Sequence, residues 1–235
     1  MPRSVGSSDG STSGAGRGAS GTRVVNKPVR IVVLNGVPRS GKSSIVEVVQ
    51  ASFEGVWMNL GVDVFCRRVT PPQYQPGIGL RPGGERPDLE KLIPAMYGAM
   101  YDSIAAHSRH GLNVVVDLNH HDSYSGPLGV LPDVAARLHG LPAYFIGVRC
   151  PVRVILKRRD ATWPNWRDGL PTIATPDGDV PEPVLLWQTE VHRPGEYDLE
   201  VDTSERTPEK CAEAIRRRME EGPPAAFASL ASREP

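Results

Sequence analysis

Apolar positions along this chain alternate between short solid runs and helical spacings. Residues 30–35 (RIVVLN) form a β-branched run ended by a glycine, the pattern of a strand buried on both faces. In the next segment Ile45, Val46, Val48 and Val49 mark an apolar helix face. Residues 56–59 (VWMN) predict a second strand. Leu89, Leu92, Ile93, Met96, Met100 and Ile104 then hold helical spacing, with Asp88 placed as a cap, Pro94 in the first turns and Gly111 at the end. Residues 112–117 (LNVVVD) read as the clearest buried strand, and they end in a carboxylate. The pattern continues with a helix over 132–138, a strand over 143–148, a helix over 151–159 and a helix over 183–192. A strand over 197–201 and a helix opened by Thr207 and Pro208 complete it.

Strand–helix alternation predicts an α/β fold with a mostly parallel sheet covered on both faces. Ligands of such sheets bind at the carboxyl ends of the strands, where residues 36–43, Asp63 and Asp117 converge. Two stretches break the pattern. Residues 70–87 (TPPQYQPGIGLRPGGERP) predict a long loop or flap, and 160–182 are loop-like. Residues 1–28 are rich in Gly, Ser and Thr and read as a disordered tail; 223–235 read as a flexible C-terminal tail. One domain is expected over 29–222.

Composition narrows the function classes. Lys+Arg and Asp+Glu are both 27, so the formal net charge is zero, which disfavours a dedicated nucleic-acid binder. No apolar stretch is long enough to span a membrane, and the N-terminus lacks the apolar core of a signal peptide. Cys66, Cys150 and Cys211 are odd in number and far apart, which predicts reduced thiols and a cytoplasmic protein. Only five positions are lysine (27, 42, 91, 157 and 210), so arginine supplies most of the positive charge.

Gly36-Val37-Pro38-Arg39-Ser40-Gly41-Lys42-Ser43 matches G-x-x-x-x-G-K-[S/T] with a strand before and a helix after. Glycines let the backbone wrap around phosphate, and the helix N-terminus adds a positive end. Gly36, Val37, Pro38, Arg39, Ser40, Gly41, Lys42, Ser43 and Ser44 are thus assigned to nucleotide phosphates, with Lys42 at the β- and γ-phosphates. Ser43 and Asp117, at a strand end, are the candidate Mg²⁺ ligands. The expected fold is then a P-loop kinase-like three-layer sandwich around a central, mostly parallel five-stranded sheet.

A guanine-reading N-K-x-D after the later strands is missing, which speaks against a GTPase; a small kinase needs a base, a cationic lid and an acceptor pocket. Asp63 is the candidate base, and Arg159 and Arg167 are the lid cations. Asn59, Val62, Asp63, Asn119 and His120 are assigned to the acceptor, with Trp163 and Trp166 as pocket or lid residues. His120-His121-Asp122 is a poor metal motif, since adjacent histidines on an extended chain point to opposite sides.

Several segments resemble the chloramphenicol phosphotransferase family of P-loop kinases: IVVLNGVPRSGKSSIVEVVQ, WMNLGVDVF, LNVVVD, FIGVRCPVRVILKRRD and VHRPGEYDLEVDTSERTPEKCAEAI. The resemblance covers most of 30–219. It implies an ATP- and Mg²⁺-dependent O-phosphotransferase acting on a small-molecule hydroxyl, with Asp63 aligned to the catalytic base and Arg159 and Arg167 in an arginine-bearing lid. The acceptor implied is chloramphenicol or another hydroxylated antibiotic or natural product. The family often carries a second acidic residue after the strand-end Asp, whereas Leu118-Asn119-His120 follow here. The 70–87 loop and the segment between Arg167 and Trp187 also depart from it. A toxin-like nucleotide-sugar kinase, a nucleotide-binding regulatory module without an acceptor, and a homo-oligomer are left open.

Overall fold

The computed structural model describes residues 29–163, 165, 170–176 and 178–232. In chain order its elements are β1 (Ile31–Asn35), α1 (Lys42–Ser52), β2 (Trp57–Asn59) and α2 (Val62–Val64), which runs into a π-helical turn (Phe65–Val69). There follow α3 (Pro87–Glu90), α4 (Ile93–Arg109), β3 (Asn113–Leu118), α5 (Val130–Leu138), β4 (Ala143–Arg149) and α6 (Val152–Thr162). Then come β5 (Thr172–Thr175), β6 (Gly178–Pro181), α7 (Glu182–Glu190), β7 (Leu199–Asp202), α8 (Pro208–Glu221) and α9 (Ala226–Ala231).

The main sheet has five strands in the order β2-β3-β1-β4-β7, and every neighbouring pair is parallel. All five β1 residues are buried, so the solid apolar run serves both faces. Ile31 and Val33 join one core with α4, α5 and α9, while Val32 and Leu34 join the other with α1 and α8. Strand β4 divides the same way: Ala143 and Phe145 go to the first core, Tyr144, Ile146 and Val148 to the second. Period-two alternation thus assigns each residue to a layer, and the three-layer α/β sandwich follows. Leu34 and Asp117 are register partners, so the strand-end carboxylate shares the α1 face of the sheet. A third apolar cluster, which includes Val37, Cys150, Ile155, Val180, Val184 and Trp187, packs α6, α7 and the β5–β6 hairpin beside the sheet's carboxyl edge. Among the described residues no helix is long and apolar enough to cross a membrane. All three cysteines are free thiols.

The structure departs from the sequence expectation in four places. Residues 223–232 are not a loose tail. They form α9, where Ala226, Phe227 and Leu230 are buried and Phe227 packs on Phe145 with ring centroids 4.8 Å apart. Asp198 Oδ1 accepts from the Ala225 and Ala226 amides, so the α9 entry is capped by a residue distant in sequence. The 70–87 loop is anchored: Ile78 and Leu80 are buried in the first core, and Tyr97 Oη donates to the Ile78 carbonyl at 3.2 Å. The expected loop over 160–182 contains the antiparallel β5–β6 hairpin, held by Val180 in the third cluster. Asp88 caps nothing and pairs instead with Arg86 at 2.8 Å, and the long helix starts at Ile93 with Pro94 in its first turn. Residues 1–28, and Trp166 and Arg167 of the expected lid, lie outside the described residues.

Candidate active site

The phosphate loop leaves β1 at the centre of the sheet. Gly36 is confined there, because a Cβ would lie 2.5 Å from the Val148 carbonyl oxygen. Gly41 has φ +94°, which suits glycine, and Arg39 holds a left-handed φ of 70°. Lys42 is buried, and its Nζ donates to the carbonyls of Gly36 (2.8 Å) and Val37 (2.9 Å). Burial pushes its ammonium down to about 8, partly offset by the carboxylates of Asp117 and Asp63. Ser43 Oγ donates to Asp117 Oδ2 at 2.8 Å, and Ser40 Oγ is buried with no hydrogen-bond partner. The first amides of α1 have no intrahelical acceptor and open on the same loop.

Arg158 braces this loop from α6. Its Nη1 donates to the Arg39 carbonyl (3.2 Å) and to Thr203 Oγ1 (3.1 Å), and its Nη2 donates to the Thr203 carbonyl (2.8 Å). Asn35 braces it from beneath: Nδ2 donates to the Val191 carbonyl and to Tyr197 Oη, and Oδ1 accepts the His120 amide. Tyr197 sits over Gly147, where a Cβ would come 2.7 Å from its ring. The GEYDLEVDT segment therefore works through packing and capping.

Asp63 stands in the first turn of α2, just past β2. The turn before it passes directly over Asp117, since a Cβ on Gly61 would lie 1.8 Å from Asp117 Oδ1. Asn59 Oδ1 accepts from the Gly61 amide at 2.9 Å and fixes that turn. The Asp63 side chain is 67% exposed and lies 3.7 Å from Arg67 Nε, one helical turn on. That pair stays open to solvent.

Two cavities meet at Asp63. The larger, about 820 Å³, is lined by Arg39, Gly41, Lys42, Ser43, Ser44 and Asp117, and also by Arg158, Thr162, Thr203, Arg206 and Pro208. The smaller, about 520 Å³, is lined by Cys66, Pro76, Gly79, Arg81, Arg159, Trp163, Asn165, Leu170, Pro183, Val184 and Trp187. Pro38, Val62, Asp63, Arg67 and Asn119 line both. Asn119 is buried and its Oδ1 has no hydrogen-bond partner.

The structure thus gathers Lys42, Ser43, Asp117, Asp63, Val62, Asn119 and Arg159 around one cleft. It separates two expected acceptor residues from it. His120 lines neither cavity; it lies in the core, bonded through Nε2 to Tyr101 Oη at 2.7 Å and stacked on Tyr97. Burial, and then His121, push its imidazole down to about 3, so it is neutral. Asn59 also lines neither cavity and acts on the Gly61 turn instead. His121 bonds the Leu80 carbonyl at 2.9 Å, so the two histidines serve separate partners. Among the described residues no group of three or more His, Cys, Asp or Glu could hold a metal ion. Arg67, Arg81, Thr203, Arg206 and Trp187 line the cleft without having been singled out from sequence, and Arg158, which belongs to the basic run expected as a lid, lines it too. Of the first five, Arg67 alone carried a signal, its i+4 spacing from Asp63.

The architecture is that of the P-loop kinases. The Mycobacterium tuberculosis APS kinase in complex with AMPPNP and APS superposes with a TM-score of 0.54 at 16% identity, covering 83% of this chain and 99% of that one. An unliganded sugar kinase from Janibacter sp. HTCC2649 gives 0.53 at 19%, covering 88% and 100%. The Acinetobacter baumannii shikimate kinase in complex with shikimate gives 0.51 at 8%, covering 83% and 93%. At these identities the likeness concerns the fold. No curated protein matches the chain at a significant level. The model of the chloramphenicol phosphotransferase-like family matches residues 29–220, and the chain belongs to that family. Family and fold together support a phosphotransferase of kinase type.

Proposed function

We propose that the protein is an ATP- and Mg²⁺-dependent O-phosphotransferase whose acceptor is the hydroxyl of a small molecule, an antibiotic or related natural product. The observation that carries this reading is the position of Asp63, the carboxylate lining both the phosphate-loop cavity and the arginine- and tryptophan-lined cavity. A regulatory nucleotide-binding module would have no use for the second cavity or for a carboxylate at the junction.

The larger cavity takes the nucleotide. Lys42 gives up its two carbonyl partners for phosphate oxygens, which favour its charged form. The part of its wall made by Arg158, Arg206 and Pro208 takes the base. The Ser43 hydroxyl and the Asp117 carboxylate are two hard oxygen donors 2.8 Å apart, and this donor pair suits magnesium. Magnesium held there would supply charge neutralisation at the nucleotide phosphates.

Asp63 orients the acceptor hydroxyl and takes its proton. The hydroxyl oxygen bonds to the terminal phosphorus as the bond to the bridging oxygen breaks. That electron pair leaves on the diphosphate. Arg159, at the end of α6, faces the charge that develops on the transferring group. The test is ATP consumption with a panel of hydroxylated antibiotics and nucleotide sugars, followed by the mass of phosphorylated product. Product from an antibiotic supports the reading. Tight ATP binding with no product from any member would sink it.

A further inference from the structure

The smaller cavity is unusual in its charge. Trp163, Trp187, Leu170, Val184 and Pro183 give it an apolar body, and Arg67, Arg81 and Arg159 enter it as cations. Among the described residues its lining carries one carboxylate, Asp63, which already faces Arg67 at 3.7 Å. Arg81 Nε has Glu85 at 3.6 Å, but Glu85 does not line the cavity. Burial first, then the cations Arg39 and Arg81, lower the proton affinity of Arg159, so the guanidinium groups repel one another across the site.

Arg81 is held in place by its neighbours. Leu80 is 2% exposed in the first core, its carbonyl binds His121, and His121 packs edge-on against Trp187 with ring centroids 5.3 Å apart. The Pro- and Gly-rich segment is thereby fixed at Leu80. The next residue presents a cation to the cavity that the phosphate loop does not line beyond Pro38.

We infer that the acceptor is an anionic molecule, a hydroxyl compound bearing a carboxylate or phosphate ester that Arg81 binds, with its apolar body against Trp187. This inference rests on the reading that the smaller cavity takes the acceptor. A guanidinium group set among other cations loses that repulsion when an anion pairs with it, and its planar fork matches both oxyanion classes.

The test compares anionic compounds with their neutral twins on the full chain saturated with AMPPNP, by calorimetry. The pairs are quinate and methyl quinate, uridine monophosphate and uridine, and glucose 6-phosphate and glucose. At least one anionic member should bind about tenfold or more tightly than its twin, as one charge-assisted contact implies. The carboxylate and phosphate pairs identify which oxyanion is preferred. Arg81→Gln should remove most of the difference, and Arg81→Lys should restore part of it. Equal affinity of every pair on the unaltered chain would overturn the inference, as would an anionic preference undiminished in Arg81→Gln. Turnover with ATP on the same compounds and on neutral antibiotics decides the underlying kinase reading separately. Phosphorylated neutral antibiotics without anion preference would leave the kinase and overturn the anionic acceptor.

Discussion

The two cavities that meet at Asp63 are built by different means. On the nucleotide side one contiguous stretch, residues 36–44, supplies most of the chemistry: closely wrapped backbone, a buried ammonium and a helix N-terminus. Its geometry is enforced by a few tight approaches, such as Gly36 against Val148 and Gly61 against Asp117. Around the smaller cavity the wall is made of side chains from α2, the anchored 70–87 loop, the end of α6 and α7. Backbone cradles tolerate little variation because any Cβ in the wrong place collides. Side-chain walls can be exchanged residue by residue, so one phosphate machine can serve many acceptors.

This contrast is open to direct challenge, the largest effects first. Asp63→Asn, at the junction, should lower kcat by about 10²–10⁴-fold. AMPPNP affinity, measured by calorimetry, should be retained; a kcat within tenfold of wild type would remove Asp63 from the base role. Lys42→Ala should weaken AMPPNP binding about 10- to 150-fold, the range of hydrogen bonds to charged groups. Unchanged affinity would show that the phosphate loop does not carry the nucleotide side.

Gly61→Ala forces a Cβ into Asp117, and overpacking of that kind costs about 1–3 kcal/mol. Thermal unfolding and turnover should both suffer; a variant with native stability and kcat would mean the turn yields freely. Asn119→Ala removes the buried amide that lines both cavities and should raise the acceptor KM about two- to tenfold, one hydrogen bond's worth. Loss of nucleotide affinity instead would place Asn119 on the other side.

The smallest effect is a pH dependence. Burial disfavours the charged form of Lys42, so in the free protein it loses its proton as pH rises through about 8. Phosphates favour the charged form. AMPPNP affinity should therefore be level near pH 7 and fall above about 8, with proton uptake on binding. Calorimetry in buffers of different ionisation heat reads that uptake, and none at pH 8.5 would contradict the buried-ammonium account.

Much of the sheet was legible because β1, β3 and β4 are short, apolar and bounded by turns, and parallel strands buried on both faces leave that trace. The phosphate loop was legible for a related reason: its nine residues act through local backbone geometry. Helix α9 was not, since six residues with one apolar face gain nothing until Phe145 and Asp198 supply a surface and a cap. His120 misled because a histidine following a strand-end carboxylate looks functional in sequence, yet Tyr97 and Tyr101 enclose it. Arg81 gave no signal at all. Its value comes from Leu80 being buried while the next residue faces the cleft, and nothing within the 70–87 stretch announces which way it turns.

By itself, then, the sequence determined the alternating α/β order, the phosphate loop and Asp63 as the carboxylate beside it, because these depend on residues close together in the chain. Only the tertiary structure decided which side chains wall the smaller cavity, that Arg158 braces the phosphate loop through Thr203, and that α9 completes the core. Those outcomes depend on contacts between segments tens of residues apart, whose formation is set by the packing of whole layers rather than by local pattern.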